Sequence, residues 1–285
     1  MGEMRKKRVD AEYIRQILPV REPQTHKGDY GKILLICGSR GYTGAAALAA
    51  MGALRSGAGV VYLMVPESIY GIEAVKLWES VVIPAADENG MLAEKASETI
   101  LEYLQKMDAV LIGPGLGQSE GTFRAVKTVL EHYSGPVVVD ADGINVLSRH
   151  KDILRDRTAP TILTPHMGEF ARLGGNTEDD PVQAAAELSC ELGCILLLKG
   201  HRTVITDGEQ YFVNETGNPG MATGGSGDVL AGIIVSFLGQ GVEPLDAAAC
   251  GAYLHGASGD MAAERIGQYG MLPTDMLSFL PRLLP

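Results

Sequence analysis

Six short runs of consecutive apolar residues punctuate the chain: KILLICG, GVVYLMVP, DAVLIGPG, PVVVDADG, PTILTPH and CILLLKG. Within them apolar residues are continuous rather than alternating with polar ones, which predicts parallel strands covered by helices on both faces. Between the runs, TGAAALAAMGALRSG, MLAEKASETILEYLQKM, GTFRAVKTVLEHYSG and PVQAAAELSCELG have helical spacing with polar faces. A helix is predicted near Asp10 to Leu18, and beyond Gly227 DVLAGIIVSFLGQG and PLDAAACGAYLHGASGDMAAERI keep the chain helical. RTVITDG and EQYFVNE differ: two strand-like runs meet at Asp207-Gly208, which predicts an antiparallel hairpin joined to the sheet. Alternation this regular predicts an α/β fold, a doubly wound and mainly parallel central sheet flanked by helices on both faces. No linker, charge block or internal repeat interrupts it, so a single domain over 1–285 is expected.

Composition narrows the partners. With 46% hydrophobic residues the chain can bury a large core. A net charge of −11 argues against a nucleic-acid polymer, which needs a basic face. It leaves room for a small anion held by backbone N–H groups and a few cations. Cys190 and Cys194 stand four apart without a second Cys/His pair at ligand spacing. Together with Cys37 and Cys250 they are expected to be buried, reduced thiols of a reducing compartment. The opening MGEMRKKRVDAEYIRQIL lacks the apolar core of a secretory signal, and Lys6 breaks the myristoylation pattern. No apolar run reaches the roughly 18 residues of a membrane span. A cytoplasmic location without membrane or nucleic-acid partners is expected.

Candidate chemistry gathers at the carboxyl ends of the strands, where open parallel sheets bind ligands. CGSRGYTGAA, IGPGLGQ, VVDADGIN, LTPHMGEF and LLKGHRTV follow the predicted strands in turn. GSRGYTG matches neither the dinucleotide fingerprint nor the P-loop. Each segment alone reads equally as a turn, with Asp140 and Asp142 as turn or capping residues. NPGMATGGSGDVLAGII is the most specific. Gly224, Gly225 and Gly227 let several N–H groups point one way, and a helix starting near Asp228 adds its free N–H groups and positive dipole end. A carboxylate in an anion site then needs a reason. Asp228 is either the N-cap of that helix or a general base beside an anion hole, the pairing that phosphoryl transfer to an alcohol requires.

GGSGD before an apolar helix resembles the ribokinase-like superfamily. In order, GDYGKILLICGSRGYTGAAALAAMGALRSGAG, IGPGLGQ, VVDADGIN, LTPHMGEF, LLKGHRTVI and NPGMATGGSGDVLAG resemble the ADP- or ATP-dependent NAD(P)H-hydrate dehydratases, from about Lys27 to Phe279. The resemblance implies nucleotide-driven dehydration of the S-forms of NADH-hydrate and NADPH-hydrate, with ADP favoured over ATP as phosphoryl donor. It implies Asp228 as base, with Gly225, Ser226 and Gly227 as anion hole. Ala45, Gly115, Gly117 and His166, with Asp228, would contact the hydrated cofactor. Lys199, Gly200, His201, Arg202 and Thr203, with Gly227, would contact the nucleotide. Glu169 would hold Mg²⁺ through water, its alternative being a first-turn acid favoured by the helix dipole. The resemblance further implies the stand-alone form without an epimerase domain, and a homo-oligomer, a tetramer. Two other readings stand beside it. One is a kinase of a small hydroxyalkyl heterocycle from the same superfamily; the other is a nucleotide-binding protein without turnover.

Overall fold

The computed structural model describes residues 4–285. The chain opens with strand β1 (Arg5–Lys6) and helix α1 (Ala11–Ile17), capped by Asp10, whose carboxylate accepts from the N–H groups of Glu12 and Tyr13. Strand β2 (Lys32–Ile36), helix α2 (Thr43–Arg55), β3 (Val60–Pro66), α3 (Glu67–Lys76) and β4 (Val81–Ala85) follow. A small hairpin of β5 (Asp87–Glu88) and β6 (Met91–Leu92) then precedes α4 (Ala96–Leu104). Next come β7 (Ala109–Ile112), α5 (Glu120–His132), β8 (Val137–Val139), α6 (Asp142–Leu147), β9 (Thr161–Leu163), α7 (Met167–Leu173) and α8 (Pro181–Leu192). Strands β10 (Ile195–Leu198), β11 (Val204–Thr206) and β12 (Gln210–Val213) lead into α9 (Ser226–Gly239), α10 (Pro244–Ile266) and α11 (Pro273–Phe279).

Ten strands form one sheet in the order β1-β12-β11-β10-β9-β8-β7-β2-β3-β4, with antiparallel pairing only at β10–β11 and β11–β12. The expected hairpin at Asp207-Gly208 is β11–β12. All six apolar runs became parallel strands. Their side chains divide by parity: Ile33, Leu35, Ala109 and Leu111 pack under α2, α9 and α10. Leu34, Ile36, Val110 and Ile112 pack over α4 to α8. Two dry faces explain why no polar alternation is visible in these strands.

From β2 the chain winds outward through β3 and β4, then returns to lay β7 on the other side of β2. The loops after β2 and β7 therefore part at a topological switch point.

Three local expectations need correction. Met91 and Leu92 pair with Asp87 and Glu88 as a strand, so the helix expected from Met91 starts at Ala96. Cys37, Cys194 and Cys250 are buried free thiols, but Cys190 lies on the outward side of α8 and is exposed. The helix expected to start near Asp228 starts at Ser226, capped by Gly225 in the left-handed region. Among the described residues no helix is long and apolar enough to cross a membrane.

Candidate active site

Helix α9 is apolar almost throughout and its body is buried, so only its first turn reaches the surface of the sheet's carboxyl end. Gly225 takes φ 95° there, and no side chain caps the helix. The N–H of Ser226 makes one long bond, 3.4 Å, to the carbonyl of Thr223, and i→i−4 bonding begins only with Val229 donating to Gly225. Those opening N–H groups and the helix dipole make an anion cradle. Asp228 sits in its first turn, which sets aside the N-cap reading of that residue.

A half-buried carboxylate beside an N-terminal dipole would ordinarily be acidic. Burial instead pushes the Asp228 carboxyl up to about 6, reinforced by Asp140 and Asp142 and opposed by Lys199. Asp140 is buried; its Oδ1 accepts from Thr164 Oγ1 at 2.7 Å and from Lys199 Nζ at 2.8 Å. Lys199 Nζ also lies 3.9 Å from Glu169 Oε2, and a Cβ at Gly227 would stand 3.4 Å from it. Burial pulls the Lys199 ammonium down, but Asp140, Glu169 and Asp228 raise it further, so it stays charged. One ammonium thus stands beside the cradle within a group of carboxylates.

Lys199 leaves β10 directly after Leu198, and its N–H donates to the carbonyl of Pro165, aligning it with His166. His166 caps α7 through Nδ1, which accepts from Gly168 N–H at 2.9 Å, while Glu169 Oε2 accepts from His166 N–H at 2.9 Å. This reciprocal cap is the local reason for the HMGE spacing. A cavity of about 950 Å³ opens beside the cradle. Lys199 to Thr203, His166, Asn214 to Pro219, Met221 to Gly224, Ser226, Gly227, Leu230 and His255 contribute to its lining. Its outer wall is fastened to α10: Asp260 accepts from Gly217 N–H at 2.9 Å and from the Asn218 amide at 3.0 Å. Asn214 donates to the carbonyl of Ala252 at 3.2 Å. On the rim Arg202 is exposed and pairs with Glu215 at 3.2 Å.

Ala45, Gly115 and Gly117 lie elsewhere, at the switch-point loops. A Cβ on Gly115 would stand 2.8 Å from Ala45 Cβ, and Gly117 N–H donates to Asp142 Oδ2 at 2.9 Å. The structure therefore separates two groups: 199–203 and His166 around the cavity, and Ala45, Gly115 and Gly117 at the switch-point loops, where an open α/β sheet characteristically has its ligand crevice. Asp228, influenced by Asp142 and by Lys199, is electrostatically coupled to both. His166, expected to contact the hydrated cofactor, lines the cavity.

Residues 33–282 match the family model described as NAD(P)H-hydrate dehydratase. The chain belongs to the NAD(P)H-hydrate dehydratase family.

Three further similarities accompany the match. A bifunctional NAD(P)H-hydrate repair enzyme from Moorella thermoacetica is 47% identical over 281 residues, covering 96% of this chain and 53% of that protein. The chain thus spans about half the length of the curated relatives it matches. The ADP/ATP-dependent NAD(P)H-hydrate dehydratase of Bacillus subtilis, co-crystallized with ATP/Mg²⁺, superposes with a TM-score of 0.83 at 31% identity, covering 96% of each chain. A ribokinase-like superfamily protein from Enterococcus faecalis superposes with a TM-score of 0.86 at 29% identity, covering 97% of this chain and 94% of that one. The ribokinase-like fold expected from the GGSGD motif is the fold observed.

In this member of the NAD(P)H-hydrate dehydratase family, sequence reasoning missed four groups at the site. In sequence Asp140 reads equally as a turn or cap residue, because its pairing with Lys199 spans 59 positions. Thr164 lies within LTPHMGEF but has no role of its own in that reading, and His255 and Asp260 carry no motif. His255 is buried with Nε2 3.3 Å from Ser226 Oγ, and burial pushes it down to about 4, so it is neutral near pH 7. Its signal was a lone histidine in the small-residue run CGAYLHGASGD.

Proposed function

We propose that the chain restores NADH and NADPH from their S-hydrates, using ADP or ATP as phosphoryl donor, with ADP preferred. The observation that carries the reading is Asp228, a carboxyl pushed up to about 6 beside a cradle of free N–H groups and the Lys199 ammonium. The nucleotide occupies the cavity along Lys199, Gly200, His201, Arg202, Thr203 and Gly227. The hydrated ring enters from the crevice of Ala45, Gly115 and Gly117, with His166 on the nucleotide side.

Asp228 takes the proton of the ring hydroxyl while that oxygen attacks the terminal phosphorus. The bond to the leaving nucleotide breaks, giving AMP from ADP or ADP from ATP. The N–H groups of Gly225, Ser226 and Gly227 hold the transferred oxygens. Hydroxide leaves a ring carbon poorly, but a phosphate ester of the same oxygen departs readily. The ring nitrogen's lone pair expels it, and loss of a proton from the adjacent carbon restores the dihydronicotinamide. Hydrate plus nucleotide becomes NAD(P)H, shortened nucleotide and inorganic phosphate.

Magnesium fits this arrangement as an ion that arrives on the phosphates. Among the described residues no three His, Cys, Asp or Glu side chains converge into a cage, and Mg²⁺ characteristically keeps several waters and one or two carboxylates. Glu169, next to Lys199, would receive such a water. The ion's contribution when bound is to neutralise phosphate charge.

A heterocycle kinase would instead release a stable phosphorylated product, and a passive binder gains nothing from a raised carboxyl in its anion site. The reading places the enzyme in the cytoplasm, supported by four free cysteines. It also makes the enzyme a homo-oligomer; α3 exposes Tyr70, Ile72 and Val75 and the turn after it exposes Trp78, apolar surface of the kind that marks contact sites. The test is phosphate release with each nucleotide. One phosphate per NADH formed, and none without hydrate, is expected; a stable phospho-product contradicts the reading.

A further inference from the structure

Where the loops after β2 and β7 part, they are stitched together. Gly38 N–H donates to the carbonyl of Pro114 and Ser39 Oγ to that of Gly115, both at 2.7 Å. The next residue is Arg40. Its N–H donates to the carbonyl of Gly90 at 2.8 Å, and its aliphatic stem lies across Gly90, where a Cβ would collide with Arg40 Cβ. Asn89 and Gly90, at φ 54° and 83°, form the turn of the β5–β6 hairpin. The same hairpin sets Met91 Sδ against Gly117, 2.6 Å from where its Cβ would be. A hairpin absent from the expected pattern of elements thus seats one arginine on the rim of the crevice.

The guanidinium is exposed, and among the described residues it forms no ion pair and no side-chain hydrogen bond. Among the described residues Arg15, Arg55, Arg155 and Arg265 also form no ion pair or side-chain hydrogen bond, but Arg40 differs from them in lying in the loop after β2, at the switch point. The stem is fixed while the head is uncommitted, which suits an incoming anion better than a structural role. Electrostatics supply the need. The chain carries a net charge of −11, and Asp140, Asp142 and Asp228 gather at the same end of the sheet. A substrate with a dianionic pyrophosphate entering there requires a local cation.

We propose that Arg40 binds the pyrophosphate of the hydrated dinucleotide, holding it while the nicotinamide end reaches Asp228. This deepens the proposed function and rests on the crevice being the dinucleotide's site. Arginine's planar fork matches paired phosphate oxygens. Because the pyrophosphate is common to NADH and NADPH forms, Arg40 does not discriminate between them.

The test is calorimetric titration of the folded protein with NADH, NADPH and reduced nicotinamide riboside, which has no phosphate. Arg40→Met keeps the stem and removes the charge; Arg40→Lys keeps the charge without the fork. Arg40→Met is expected to weaken both dinucleotides by on the order of tenfold. Arg40→Lys should recover part of that loss, and riboside binding should not change. Equal affinity of wild type and Arg40→Met for NADH overturns the proposal. So does an equal loss on the riboside, a loss confined to NADPH, or no binding of any of the three ligands by wild type. Because the readout is binding, a wild type that binds NADH through Arg40 yet regenerates none would overturn the proposed reaction and leave this inference standing.

Discussion

At the residue scale the site turns on one carboxyl. Asp228 titrates near 6, chiefly through burial and then through Asp140, so the basic form fills as pH rises through that value. The rate is expected to climb across that range and then level, and a pH–rate profile checks it. The stability consequence has the opposite direction. A carboxyl raised from 3.8 to about 6 contributes fully below its unfolded value, and that contribution is lost as pH rises through about 6. Asp228→Asn should therefore melt a few degrees, roughly, above wild type at pH 8, with the gap closing near pH 4. A mutant less stable at pH 8 would contradict the burial argument. The GGSGD motif made Asp228 legible in the sequence because glycines and an acid adjoin there. Asp140 was not legible, since nothing local distinguishes a turn aspartate from one paired with Lys199 at 2.8 Å.

At the element scale, the distance between crevice and cradle is set by how closely α2 and α9 pack. Gly52 faces the carbonyl of Val229, where a Cβ would stand 2.5 Å from the oxygen, and Gly232 faces the carbonyl of Ala49. Gly232→Ala would force a methyl into that carbonyl and is expected to cost about 1–3 kcal/mol in urea unfolding, a typical overpacking penalty. An unchanged midpoint would show that the helices separate easily. The cavity wall is an element-scale feature too. Asp260→Ala frees Gly217 and Asn218 and should raise KM for the nucleotide by about tenfold, while KM for the hydrate holds. An equal rise in both would make Asp260 a general stability residue. The strands were legible because burial on two faces leaves an unmistakable apolar run. Helix α3, strand β4 with its Pro84 and the β5–β6 hairpin were not, because an edge strand and a two-residue ladder leave little periodicity.

For the whole molecule, sheet order places the chemistry: every segment singled out in the sequence follows a strand whose carboxyl end faces the same side. Strand order itself was beyond sequence reach, since six similar runs do not say which neighbours which. The apolar outward side of α3, next to edge strand β4, bears on assembly. Replacing Val75 and Trp78 together by Glu should shift a homo-oligomer toward smaller species in light scattering, without loss of helical signal. Unchanged mass would place the contact elsewhere. The central claim is that a raised carboxyl and an anion cradle drive dehydration through phosphorylation. Its most direct test is recovery of dihydronicotinamide absorbance from hydrated NADH with Mg²⁺ and ADP or ATP, wild type beside Asp228→Asn. Recovery that requires nucleotide and falls by orders of magnitude in the folded mutant is the expected result. Undiminished recovery by Asp228→Asn, or none by folded wild type with either nucleotide, would contradict the account.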